Sequence, residues 1–286
     1  MSGREIRFTS NDGLALFARD VGPTDGTHPP VFCLPGLTRN SLDFAALAAH
    51  LSAGGRRVVC PDFRGRGMSA CDPEWERNYV PSVYARDVLD LMTVLGIHRA
   101  AFVGTSLGGI VATTIAAQRP TAVAGIVLND IGPRLEPTGL QRIAAHTGWK
   151  NEAADWAEAV DLLRASNAVA LPHLDDDGWM AFARRQFVPR ADGKLEVNYD
   201  PRIGDAMRAG AGGPLDLATL FQALGPIPTL LLRGALSDLL AAEGVAAMQA
   251  TKSDLVAVEV PGVGHAPLLD EPEARLAIDR FLAELG

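Results

Sequence analysis

Cysteine is scarce in this chain. The three present, Cys33, Cys60 and Cys71, are odd in number and show no metal-ligand spacing, so neither a disulfide framework nor a cysteine metal site is readable. Cys33 and Cys60 fall in apolar, strand-like runs and read as buried, inert thiols. The six histidines, at 28, 50, 98, 146, 173 and 265, never pair at i, i+4, which removes the helical zinc-protease motif. No Walker A pattern and no G-x-G-x-x-G fingerprint occur, so neither a metal nor an organic cofactor is expected. The uninterrupted apolar runs are strand-sized, too short for a membrane span. No apolar leader follows the charges of MSGREIRFTSNDG, which reads as an edge strand rather than a signal peptide. Long basic runs are missing, and the net charge is −8 with a pI near 5.3, which disfavours nucleic acid and anionic membranes as partners. A soluble cytoplasmic protein with a small-molecule substrate is the expectation; homo-oligomerisation is left open.

What is present is an alternation. EIRFTS and LALFARD, split by Asn11-Asp12-Gly13, read as an opening hairpin. PVFCLP, RRVVCPD, AAFVG and AVAGIVLND then follow as short apolar strands. Helical stripes separate them: Phe44, Leu47, Ala48 and Leu51; Tyr84, Val88, Leu91, Met92 and Leu95; Leu107, Ile110, Val111, Thr114 and Ile115. Strands apolar on both faces, alternating with amphipathic helices, predict an α/β fold: a mostly parallel, twisted central sheet with helices on both faces. After Asp130 the pattern breaks into helical fragments, prolines and glycines. It resumes with PIPTLLLRG, a helix over Leu239 to Ala250, the strand DLVAVEV, and a last helix started by Asp270 and Pro272. The expectation is therefore one core, residues 1–130 and 215–286, with a helical cap, 131–214, inserted after the sixth strand.

Gly104-Thr105-Ser106-Leu107-Gly108 is G-x-S-x-G between a predicted strand and a predicted helix. An immediate strand-to-helix turn forces its central residue into a strained conformation that lifts the side chain clear of the chain. The helix N-terminus behind it supplies N–H groups and a favourable dipole for an oxyanion. Ser106 is thus the candidate nucleophile, against the plainer reading of a close-packed turn.

Four stretches carry a resemblance: LPGLTRNSLDF (34–44), PDFRGRGMS (61–69), GTSLGG (104–109), and RGALSD (233–238) with GVGHAPLLDEPE (262–273). Together they resemble the α/β-hydrolase superfamily, in its helical-cap subgroup, over nearly the whole length outside the cap. The resemblance places the catalytic histidine at His265, where an imidazole can take the Ser106 proton and return it to a leaving group. Two carboxylates satisfy the chain order Ser, acid, His. Asp238 stands where the resemblance usually puts the acid and is favoured; Asp130, in LNDIGP, is the alternative that some relatives use. The resemblance also assigns the oxyanion donors to the backbone N–H groups of Leu37 and Leu107, although Pro35-Gly36 replaces the usual His-Gly. Asp62, Arg64, Gly65 and Gly67 read as a structural brace. Arg39 reads as a surface arginine, with contact to an anionic substrate group the less favoured option.

An activated serine, an imidazole base and two oxyanion donors imply attack on an electrophilic carbonyl. Ester, lactone or thioester hydrolysis through an acyl-serine is the leading expectation. Hydrolysis of a carbon–carbon bond beside a ketone, with the same triad, is the alternative within enzymes. A non-catalytic ligand-binding protein on the same fold is the alternative outside them. The cap aromatics Trp149, Trp156, Trp179, Phe182, Phe187 and Tyr199 either line an apolar acyl or aryl pocket or pack the cap onto the core.

Overall fold

The computed structural model describes residues 3–148, 151–213 and 215–285. Arg4–Thr9 (β1) and Ala15–Val21 (β2) form the expected antiparallel hairpin. The strands Val31–Leu34 (β3), Val58–Asp62 (β4), Ala100–Thr105 (β5) and Val123–Asn129 (β6) follow in chain order. Three short strands, Glu152–Ala153 (β7), Phe187–Pro189 (β8) and Leu195–Val197 (β9), form a separate small sheet within the insertion. Thr229–Gly234 (β10) and Val256–Val260 (β11) complete the large sheet, whose order is β1-β2-β4-β3-β5-β6-β10-β11. The first two pairings, β1 with β2 and β2 with β4, are antiparallel; every later one is parallel.

The period-two alternation of a strand divides the core into two layers. Phe32, Val59, Phe102, Ile126 and Leu231 face one side and pack in one buried cluster. Their chain neighbours Cys33, Cys60, Val103, Val127 and Leu230 face the other side and pack in a second. The helices are Ala45–Ala53 (α1), Trp75–Asn78 (α2), Pro81–Val94 (α3), Leu107–Gln118 (α4), Pro137–His146 (α5), Trp156–Asn167 (α6), Asp176–Gln186 (α7), Arg202–Arg208 (α8), Leu217–Gln222 (α9), Ala242–Thr251 (α10) and Pro272–Glu284 (α11). Tyr84, Val88 and Leu91 of α3 and Val111 and Ile115 of α4 cover the first layer. Leu47 and Leu51 of α1 and Ile278 and Leu282 of α11 cover the second.

One element boundary shifts from the sequence reading, and the last helix starts at the expected Pro272. The helix expected from Leu239 begins at Ala242, because the amides of Leu239 and Leu240 turn back to the Ser237 hydroxyl and both leucines are buried. The last helix has Glu271 at its N-cap and Pro272 as its first residue, where the missing proline N–H costs nothing.

Residues 131–214, read as an insertion, do not pack as one body. Val160, Trp179, Phe182, Phe187 and Leu195 make a cluster of their own, whereas Ile203 and Ala206 of α8 join the first core layer. Trp149 lies outside the described residues. Cys33 and Cys60 are buried and unbridged, and the Cys60 thiol is pushed up by its hydrogen bond with Cys33 and by burial. Among the described residues no helix is long and apolar enough to cross a membrane.

Candidate active site

Parallel strands deliver their C-terminal ends to one edge of the sheet, and three of them build the site. Ser106 directly follows β5 and holds the N-cap position of α4, with φ 52° and ψ −114°. A left-handed φ at a residue bearing a Cβ is strained by about 1–3 kcal/mol. Surrounding contacts over-determine it. The Ser106 amide donates to the Asn129 carbonyl at 3.0 Å, extending the ladder beyond β5, and the Ser106 carbonyl accepts from Gly109 at 2.9 Å. A Cβ on Gly104 would lie 2.4 Å from the Gly108 carbonyl carbon, and one on Gly108 would lie 2.0 Å from the Leu34 carbonyl oxygen. Backbone crowding of this kind admits only glycine.

The Ser106 hydroxyl stands 3.0 Å from Nε2 of His265. On the other side of the ring, Nδ1 lies 2.8 Å from Oδ2 of Asp130. Asp130 follows β6, with φ 57° and no exposed surface. Its Oδ1 accepts the Gly234 amide at 2.9 Å, and its Oδ2 accepts the Ser237 hydroxyl at 2.5 Å. The loop bearing His265 is tied to the same strand end, because the side-chain Nδ2 of Asn129 donates to the Pro267 carbonyl at 2.9 Å and to the Thr105 hydroxyl at 3.0 Å.

Asp238, the acid favoured from the sequence, is not on the imidazole: both ring nitrogens of His265 are occupied by Ser106 and Asp130. Asp238 instead accepts a two-point contact from Arg142 of α5, Nε to Oδ2 at 2.6 Å and Nη2 to Oδ1 at 2.8 Å. The Arg142 guanidinium holds this carboxyl below its usual range. The cause lies in the turn at Ser237 together with Arg142, 96 positions earlier in the chain. Ser237 closes a turn that aims its own hydroxyl at Asp130, and the next residue then points toward the insertion, where its carbonyl also receives the Gly139 amide.

Leu37 and Leu107 line one cavity of about 510 Å³ together with Ser106 and His265. Among the described residues, neither leucine amide donates to a protein acceptor, as expected of groups held for an oxyanion. The Leu37 carbonyl accepts from Nε of Arg66 at 2.9 Å, and Nη1 of Arg66 donates to the Tyr84 hydroxyl and the Arg64 carbonyl. Arg66 is 1% exposed. Arg64, behind it, holds Asp12, Asp72 and Asp87, and Asp62 receives the amides of Ser41 and Met68. Residues 61–69 therefore brace the loop that carries Leu37. The sequence reading singled out Asp62, Arg64, Gly65 and Gly67 but passed over Arg66, whose only sequence signal was its place between two glycines.

Phe182, Phe187 and Tyr199 line the cavity, while Trp179 packs edge-on against Phe182 at 5.9 Å between ring centres. Arg39 is no surface arginine. It lines the cavity, lies 4.1 Å above the Phe182 ring, and pairs with Asp43. Arg142 lines it as well, whereas its partner Asp238 does not.

Residues 31–279 match the profile of the alpha/beta hydrolase family, and the chain belongs to that family. Among curated proteins it is 36% identical to the 3-hydroxybutyrate-oligomer hydrolase of Cupriavidus necator, over 89% of this chain and 88% of that protein. It is 30% identical to the 2-(acetamidomethylene)succinate hydrolase of Mesorhizobium japonicum, over 90% of this chain and 89% of that one. Among solved structures, an alpha/beta hydrolase from Novosphingobium aromaticivorans is 40% identical and superposes with a TM-score of 0.90, covering 98% of each chain.

Proposed function

We propose that this protein hydrolyses carboxylic esters through an acyl intermediate on Ser106, and that its substrates carry a carboxylate besides the ester. The observation that carries the first part is the continuous chain of hydrogen bonds from the Ser106 hydroxyl through His265 to Asp130. In this reading His265 Nε2 takes the Ser106 proton as Oγ attacks the ester carbonyl carbon. The tetrahedral oxyanion falls between the amides of Leu37 and Leu107, where removing one donor typically costs about 3–4 kcal/mol. Collapse expels the alcohol, protonated by His265. Water, deprotonated by the same nitrogen, then frees the acid and restores Ser106. Asp130 keeps Nδ1–H pointed away from the serine and stabilises the imidazolium.

The second part rests on the wall of the cavity. In a protein of net charge −8, the arginines and acids that line the cavity among the described residues are two arginines, Arg39 and Arg142, and one carboxylate, Asp43. Asp238 engages Nε and Nη2 of Arg142, which fixes the guanidinium and leaves Nη1 for a ligand oxygen. Both curated relatives above are named for substrates that are carboxylates at neutral pH.

The test pairs chemistry with labelling. A fluorophosphonate should add its phosphonyl mass to the peptide holding Ser106, and Ser106→Ala should abolish both that adduct and ester turnover. A hydroxyacid dimer ester with a free carboxyl should be cleaved more efficiently than its methyl ester. An unmodified Ser106 would overturn the ester-hydrolase reading; equal rates on the two esters would overturn the carboxylate.

A further inference from the structure

The Ser237 hydroxyl has one proton and two lone pairs. Its oxygen receives two backbone amides, from Leu239 at 3.2 Å and from Leu240 at 3.0 Å. Both acceptor positions are thereby filled by donors that cannot turn away, since Glu136 and Leu239 join the same turn through Glu136 N–H to Leu239 C=O at 2.9 Å. Only the proton remains, and its acceptor is Oδ2 of Asp130, 2.5 Å from the Ser237 oxygen. The hydroxyl is thus fixed as a donor to the very oxygen that accepts Nδ1–H of His265.

Asp130 has no arginine or lysine within salt-bridge reach among the described residues; His265 is its only ion-pair partner. Apart from that imidazole, its oxygens are held by Gly234 N–H, at the end of β10, and by Ser237 Oγ–H, from the loop after it. Gly234 fixes one oxygen but leaves the carboxylate free to pivot about that point. A second anchor on the other oxygen removes the pivot. We infer that Ser237 is a positioning residue for the reaction, acting through Asp130 to hold the His265 ring with Nε2 toward Ser106. The loop where the family resemblance places the acid would then supply a hydroxyl to an acid that follows the neighbouring strand. This inference rests on the ester-hydrolase reading above.

The experiment uses the full chain with Ser237→Thr, Ser237→Val and Ser237→Ala, each measured alone and with Asp130→Asn. Threonine and valine have the same shape, so their difference reports the hydroxyl rather than the packing. Ser106→Ala is run beside them: if it keeps turnover, the hydrolase reading falls and this inference with it. With Ser106 shown to be required, Ser237→Val and Ser237→Ala should lower kcat by about 10- to 100-fold with KM within about twofold, and Ser237→Thr should stay within about threefold of the native enzyme. Fluorophosphonate labelling of Ser106 should slow in proportion. In the Asp130→Asn background the same substitutions should cost little more, because residues acting as one unit are not additive. A full additional loss in that background, or equal rates for the threonine and valine variants, would overturn the inference while leaving the triad intact. Should Ser237→Ala not fold, the threonine–valine comparison is sufficient to decide between these outcomes.

Discussion

Asp238 and Arg142 face one another in a two-point ion pair, Nε to Oδ2 at 2.6 Å and Nη2 to Oδ1 at 2.8 Å, and this pair joins the loop after β10 to the first helix of the insertion. The residue at the position where the family resemblance looks for the acid has become a tie between core and insertion. Its neighbour, Ser237, turns the other way, toward Asp130.

The ion pair sets a pH signature for the fold. Arg142 lowers the folded-state value of the Asp238 carboxyl, so its contribution to stability is complete above the ordinary carboxylate value and is lost as pH falls through the lowered one. The difference in Tm between the native protein and Asp238→Asn should therefore be constant from about pH 8 to pH 5 and shrink below about pH 4. Thermal melts across that range measure it. A difference that grows in acid would contradict the assignment.

Arg66 should matter to rate more than its distance from the nucleophile suggests. Its Nε holds the Leu37 carbonyl, and so the backbone on which one proposed oxyanion donor sits. Arg66→Met should lower kcat by about 10- to 100-fold with a smaller change in KM, the pattern of an interaction felt in the transition state. It should also lower stability by about 1–3 kcal/mol through the unpaired carbonyls of Leu37 and Arg64. Steady-state kinetics beside urea unfolding separate the two effects; unchanged kcat would show that the loop keeps its shape unaided.

At the elbow, Gly108→Ala would drive a methyl to within 2.0 Å of the Leu34 carbonyl oxygen. Neither side of that contact is a flexible side chain, so β3 and α4 must separate. A loss of about 1–3 kcal/mol or more in unfolding free energy is expected, with slower labelling of Ser106. Retention of the native urea midpoint would mean the elbow is looser than its geometry.

Much of this was legible from residue order, for physical reasons. β3 to β6 are apolar at successive positions because they are buried on both faces, and G-x-S-x-G marks a place where backbones touch. Ser106 and His265 followed from those signals and from the resemblance. The choice between Asp130 and Asp238 did not, because both carboxylates follow neighbouring parallel strands, Asp130 directly after β6 and Asp238 in the loop after β10, and side-chain direction decides between them. That direction is fixed by a serine turn and by an arginine 96 positions earlier in the chain, contacts that no local pattern encodes. Arg66 and Ser237 were missed for the same reason: each acts through one long-range hydrogen bond.

The role of Asp130 is open to a direct comparison of kcat/KM for ester hydrolysis by Asp130→Asn and Asp238→Asn. An asparagine at 130 presents the imidazole with an amide in place of a carboxylate, and turnover should fall by about 10³- to 10⁴-fold, while the change at 238 should cost no more than about tenfold. The reverse order of losses, with Asp238→Asn the inactive variant and Asp130→Asn active, would contradict the account.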